Sequence, residues 1–439
     1  MDSRLTRSLS GGIVSSTIPT WGETTVRRFL KIIVPAVSAG LLATTLPAGA
    51  AAAKPTVPAA LFGQHVASIA SGTPDTLTRV GAIRLWDSGV TWAAIQPTKN
   101  GPYNWGPLDA AVKNAQALRP SEIMYTLGST PQWAASDPNS KLGLYGPGSN
   151  SHPADNAYYT DFLKAVAERY GSDITSYQVW NEANLKDFYL GSPKQMAKLT
   201  KEAKQALRSV GSRAKLVAAS TTVRSTGPVG KFGKAYGKAM RKTWKYVDAV
   251  SAHLYPPATS GPGTRTSYIK KIKTYYKRWG AKNKPLWDTE MNFGDRRPYM
   301  RTKRTYTGTQ AAGFVARTYI DSMRYGVSRV FWYGWDIHVL GTDMVSPDNG
   351  TLVEGGKAFL EIQDWMVGAK WYGCRTKNRI TTCTVKPPGG SKNYIRFTTK
   401  GSKKFKVPSA SVLRELDGTS TSLSKGQKVR ITTVPVMFD

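Results

Sequence analysis

From about position 58 onward, short unbroken apolar runs alternate with longer stretches in which apolar residues recur every three or four positions. Eight runs stand out, at 61–65, 82–86, 123–127, 177–180, 216–219, 249–253, 285–289 and 329–333. Several lack polar alternation, the pattern of strands buried on both faces of a parallel sheet. Helical periodicity fills the intervals, as at 158–170, 193–210 and 307–324, and a last helix is expected near 356–366. Eight strands with seven intervening helices and a closing one predict an α/β fold, a (β/α)8 TIM barrel over residues 54–370. A doubly wound sheet would need a glycine-rich turn after the first strand, and the residues following His65 supply none.

After Trp371 the helical period stops. Short runs at 380–385, 394–399 and 428–434 alternate around Pro387-Pro388-Gly389-Gly390 and Asp417-Gly418, which predicts a small β-sandwich-like domain over residues 371–439. No row of exposed aromatics marks it as a binding module, so its expected role is to buttress the barrel. Cys374 and Cys383 lie nine positions apart across a plausible hairpin, and in an oxidising compartment they should form a local disulfide. These two are the chain's only cysteines, which rules out a framework of several bridges.

The compartment is read from the other end. Arg27, Arg28 and Lys31 precede an apolar run from Ile32 to Leu46, followed by Ala48-Gly49-Ala50, a small-residue cleavage pattern. The run is shorter than the roughly 20 residues needed to span a bilayer, so residues 1–53 are expected to be a signal peptide and the mature chain secreted, with no stable membrane insertion. The chain is strongly basic, with 61 Lys+Arg against 28 Asp+Glu and a formal charge of +33. That balance points to an acidic carbohydrate partner or an anionic cell envelope. Clusters at 270–284 and 296–304 read as solvated basic faces, and no recognition motif supports a nucleic-acid partner.

Active sites of such barrels sit at the C-terminal ends of the strands. The fourth run ends Val179-Trp180-Asn181-Glu182-Ala183-Asn184, and the seventh ends Trp287-Asp288-Thr289-Glu290-Met291-Asn292. Each places a carboxylate just past an apolar strand, in a chain poor in acids. Two glutamates so placed face each other across the barrel mouth, where one protonates a leaving oxygen and the other attacks the anomeric carbon, as in retaining glycosidases. Their position on a narrow rim predicts carboxyl groups about 5–5.5 Å apart, with Glu182 holding its proton to higher pH than Glu290.

These residues resemble the signature of clan A glycoside hydrolases. Gly101-Pro102-Tyr103-Asn104-Trp105, Tyr125-Thr126-Leu127-Gly128 and Thr130-Pro131-Gln132-Trp133-Ala134 narrow the resemblance to family 39, which includes β-xylosidases and α-L-iduronidases. The resemblance covers roughly residues 60–370. It implies Glu182 as general acid/base and Glu290 as nucleophile. By the same resemblance Arg84 holds the nucleophile ionised, Asn181 donates to the sugar 2-hydroxyl, and His253 or Tyr255 lies near the nucleophile. Trp332 and Trp133, with Trp86 and Trp335, are candidate stacking walls for sugar faces, Trp332 first among them. His65, Asp336 and His338 are further candidates for the pocket lining. No cofactor and no metal is expected, since four scattered His and no loop of calcium-ligand spacing leave no evident site. The alternative is a non-catalytic protein that holds a polyanionic glycan on a hydrolase scaffold; retention of both glutamates weighs against it.

Overall fold

The computed structural model describes residues 53–224 and 230–439, so the predicted signal segment, up to Ala52, lies outside the described residues. Eight parallel strands form the central sheet: β1 (Phe62–His65), β2 (Ala82–Leu85), β3 (Glu122–Thr126), β4 (Ser176–Gln178), β5 (Lys215–Val217), β6 (Val250–Ala252), β7 (Leu286–Met291) and β8 (Val327–Tyr333). Each lies within two residues of its expected place. The strand order β5-β4-β3-β2-β1-β8-β7-β6 is a circle, and a bridge between Val217 and Ala249 spans the remaining gap. The architecture is the (β/α)8 barrel the sequence predicts.

The helices outside the sheet are α1 (Gly106–Ala117), α2 (Asn156–Tyr170), α3 (Pro193–Ser209), α4 (Lys231–Ala239), α5 (Pro262–Arg278), α6 (Gly308–Tyr325) and α7 (Glu354–Met366), besides a single α-turn at Trp92–Ile95. Local sequence explains α3 well. Pro193 sits in its first turn, Ser192 and Gln195 form a reciprocal capping box, and Met196, Leu199, Ala203 and Leu207 give it a buried stripe. One expected helix is missing. The β1–β2 connection holds only a 3-10 turn, Ala67–Ala70, because Gly72 and Pro74 follow before another helical turn can form. Asp336, in the loop after β8, caps that turn by accepting from the amides of Ala67 (2.7 Å) and Ser68 (2.9 Å).

Inside the barrel the side chains stack in layers. At the bottom, Glu122 accepts from Arg329 (3.0 Å) and Lys215 (3.2 Å), and both cations lie over the Trp287 ring. Above them Ala82, Met124, Val217, Ala249, Trp287 and Phe331 make an apolar plug. Gly63 belongs to this layer: a Cβ there would stand 2.6 Å from the Phe331 ring. The next layer is polar. The Gln178 amide nitrogen donates to Ser251 (3.0 Å) and Thr289 (2.9 Å), and its oxygen accepts from Thr126 (3.1 Å) and Arg84 (3.2 Å). The residues at the C-terminal ends of the strands sit on this polar floor.

The C-terminal residues form β9 (Lys370–Lys377), β10 (Ile380–Lys386), β11 (Asn393–Thr398), β12 (Lys403–Lys406), β13 (Ser411–Arg414), β14 (Ser420–Leu423), β15 (Lys428–Ile431) and β16 (Val436–Phe438). Six make an antiparallel sheet, ordered β14-β13-β16-β11-β10-β9, and β12 pairs with β15 in a separate ribbon. Between sheet and ribbon lies a small core of Val407, Leu423, Ile431 and Phe438, the arrangement of a small β-sandwich. Cys374 and Cys383 face each other on β9 and β10 and are joined by a disulfide. Arg317 of α6 stacks on Phe397 of β11 at 4.1 Å, and Ala53–Asp439 forms one compact unit. Among the described residues no helix is long and apolar enough to cross a membrane.

Candidate active site

The loop after β4 carries Asn181 and Glu182 into the barrel mouth. Glu182 has φ 37°, a left-handed conformation costly for a residue with a β-carbon, and its amide is held at 2.9 Å by the Ser220 hydroxyl. Glu290 sits near the end of β7, and the nearest donor atoms of Glu182, His253 and Glu290 all lie within 4.8 Å of one another.

Arg84 is the hub beneath them. It is fully buried, and its guanidinium donates to Glu290 Oε2 (2.9 Å), Asn181 Oδ1 (2.7 Å) and Gln178 Oε1 (3.2 Å). One planar cation thus orients two site residues from a rigid floor. With its oxygen engaged, Asn181 presents its Nδ2 as a donor. Tyr255 donates its hydroxyl to Glu290 Oε1 at 2.8 Å, and Arg224 stacks on the Tyr255 ring at 4.8 Å. His253 Nδ1 lies 2.8 Å from Glu182 Oε1 and 3.7 Å from Glu290 Oε2, between the two carboxyls.

Burial dominates the electrostatics. It pushes the Glu182 carboxyl up to about 7, against a Thr222 hydrogen bond and the charges of Arg84, Arg297 and Arg224. It pushes His253 down to about 3, so this imidazole is neutral. Glu290 is also raised by burial, with His253 and Arg84 pulling the other way. Arg84 does lower the Glu290 carboxyl, as expected from the sequence, but burial of the enclosed group outweighs it. Two buried carboxyls beside one guanidinium favour sharing a single proton. Arg84 and Tyr255 both donate to Glu290, so the negative charge is best held there and the proton on Glu182.

The structure brings Arg84, Asn181, Glu182, His253, Tyr255 and Glu290 together. It does not bring Trp332 or Trp133 to them. Alternation along β8 turns Phe331 and Tyr333 into the barrel, while Trp332 faces the helices, fully buried 6.1 Å from the Phe293 ring. Trp133 donates to the Gln96 carbonyl (3.0 Å) and packs edge-on against Trp92 and Tyr158. His65 is buried beside Arg84, with its ring edge toward Tyr333; His338 pairs with Asp343, and Asp336 caps the first turn. Trp86 lies edge-on to Tyr145, and Trp335 packs on Phe359.

Three residues passed over in the sequence join the site. Asp87 accepts from the hydroxyls of Tyr333 (2.6 Å) and Tyr145, and burial raises its carboxyl. Asp87 follows the apolar β2 run directly, so the strand-end rule that found both glutamates applies to it too. Tyr333 needed only the parity of β8. Tyr145 comes from a long loop and carried no signal.

Glu182, His253 and Glu290 also make a donor set of the kind that holds a cation. Arg84 already occupies Glu290 Oε2, and a metal there would have to displace it, so the trio suits proton transfer better than coordination.

The sequence profile of the glycosyl hydrolase catalytic core matches residues 148–359. Among solved structures, a family 39 glycoside hydrolase from Bacteroides cellulosilyticus WH2 is similar over 87% of this chain and 80% of its own, at 17% identity and TM-score 0.64. A family 39 β-xylosidase from Caulobacter crescentus matches over 88% and 97%, at 14% identity and TM-score 0.60. The catalytic domain of a family 30 xylanase C from Talaromyces cellulolyticus matches over 88% and 97%, at 15% identity and TM-score 0.59. No curated protein matches the chain. Residues 148–359 thus match a glycosyl hydrolase catalytic core, and the barrel is similar in fold to those of family 39 and family 30 glycoside hydrolases.

Proposed function

We propose that this protein is a secreted glycoside hydrolase that cleaves an extracellular polysaccharide or oligosaccharide with retention of anomeric configuration. The observation that carries the proposal is the approach of the two glutamates. Donor oxygens within 4.8 Å suit direct attack, whereas inversion needs carboxyls roughly 6.5–9.5 Å apart to admit a water. In this mechanism Glu290 attacks the anomeric carbon while Glu182, protonated in the free site, delivers its proton to the leaving oxygen. Conversion of Glu290 to a neutral ester removes the neighbouring charge, and Glu182, now a carboxylate, takes a proton from the water that hydrolyses the ester.

The remaining residues position and bind. Arg84 and Tyr255 aim the two Glu290 oxygens, Asn181 offers Nδ2 to a sugar hydroxyl, and Tyr333 with Asp87 supplies a polar wall. Secretion is supported by the predicted signal segment and by the Cys374–Cys383 disulfide, which persists in oxidising surroundings. The test is proton NMR of the first product released from whichever aryl glycoside the purified mature chain turns over. The substrate's own anomer should appear before mutarotation; initial release of the opposite anomer overturns the mechanism. A fluorinated sugar inactivator should label Glu290 and leave Glu182 unmodified.

A further inference from the structure

The β12–β15 ribbon takes no part in the chemistry above. Its register sets Lys404 opposite Arg430 and Lys406 opposite Lys428. Side chains alternate along a strand, so these four share one face and Phe405, Val429 and Ile431 the other. The apolar three pack into the small core with Leu423 and Phe438, and the four basic residues are exposed. Like charges directly opposite one another destabilise an antiparallel pair. Among the described residues no carboxylate neutralises these. Arg430 bonds only the Ser402 hydroxyl, and none of the four makes an ion pair with a described carboxylate. Of the three acids in residues 371–439, Asp439 is paired with Arg414, while Glu415 and Asp417 bond Thr419 in a turn.

A fifth cation lies beneath. Arg396 is 8% exposed, with its guanidinium 4.5 Å from the rings of both Phe405 and Phe438 and its Nε without a partner. Burial lowers it to about 10, so it remains charged at neutral pH. The sandwich therefore keeps a block of uncompensated cations, about 5 Å apart across the strands and about 7 Å apart along them, at a cost that a bound polyanion removes.

We infer that the outer face of this ribbon, Lys404, Lys406, Lys428 and Arg430, binds an anionic polysaccharide bearing carboxylate or phosphate groups. The inference rests on the glycoside hydrolase reading and adds a second, non-catalytic glycan site to it. A polysaccharide fits better than a nucleic acid because the exposed face carries no aromatic ring for base stacking; Phe405 points inward.

The test compares two fourfold variants of equal charge loss in the full mature chain. One is K404A/K406A/K428A/R430A; the other, K201A/K271A/K277A/K282A, removes exposed lysines elsewhere. Binding of labelled polygalacturonate, inorganic polyphosphate, neutral xylan and single-stranded DNA is titrated at several salt concentrations. The ribbon variant should bind polygalacturonate or polyphosphate at least tenfold more weakly, with a shallower salt dependence, while the other variant changes less than twofold. Which of the two polymers responds names the acidic group. Its thermal midpoint should be no lower than that of the unaltered chain, since only repelling cations are removed. Equal losses in both variants, or DNA bound more tightly than either acidic polymer through the same four residues, overturns the inference. Turnover of a small aryl glycoside should be unchanged in both variants. Absence of turnover in the unaltered chain would count against the hydrolase reading alone, because binding is measured without it.

Discussion

With Glu182 at about 7, the pH dependence of turnover becomes a sharp test of its role. Glu182 must carry a proton to assist departure of a poor leaving group, so kcat/KM should follow its protonated fraction. For a group at about 7, that fraction is roughly 90% at pH 6 and roughly 10% at pH 8, close to a tenfold loss. The assay measures kcat/KM from pH 5 to 9 on two aryl glycosides of the same sugar, one with a nitrophenol leaving group and one with an unactivated phenol. The unactivated substrate should lose about tenfold between pH 6 and 8, and the nitrophenyl substrate should lose far less because it needs little proton assistance. Glu182→Ala should abolish turnover of the unactivated substrate and erase the alkaline limb on the other. A further variant fixes the cause. Arg297 lowers the Glu182 carboxyl, so Arg297→Gln should move the limb to higher pH, the opposite of what loss of an anion would do. Identical limbs for the two substrates, or a limb that survives Glu182→Ala, would refute the assignment.

Arg84→Met should cut kcat/KM severely and also lower stability by about 3–5 kcal/mol, because it strands a buried Glu290 without its cation; chemical denaturation checks the second part. Trp332→Ala should destabilise the barrel by about 3–5 kcal/mol and leave KM unchanged in whatever folds, whereas Tyr333→Ala should raise KM with a smaller effect on stability; the reverse pattern would place Trp332 in the pocket after all. Native protein should show no titratable thiol, and Cys374→Ser with Cys383→Ser should cost about 2–3 kcal/mol, the value for so short a loop, while sparing aryl glycoside turnover.

The sequence by itself determined the barrel, because a parallel sheet covered on both faces writes unbroken apolar runs into the chain, and each run appears as a strand. It also pointed to both glutamates and Arg84, which lie at or just past the ends of buried strands and which the structure brings together. Local sequence could not settle matters of parity and desolvation. Trp332 and Tyr333 are adjacent and equally aromatic, and only the register of β8 against β1 sends one to the core and the other to the pocket. The missing first helix was legible in Gly72 and Pro74, but the capping of the short turn in its place by Asp336, from the far end of the barrel, was not. The direction of the Glu290 shift was beyond the sequence for the same reason. An arginine near a carboxylate reads as a force that lowers its pKa, and only the closed fold shows that enclosure of Glu290 pulls harder the other way. The facing cations of the ribbon, scattered over 403–406 and 428–431, became a surface only when the two strands paired. Spacing along the chain sets which residues are available, and pairing across it sets which charges must share one dielectric.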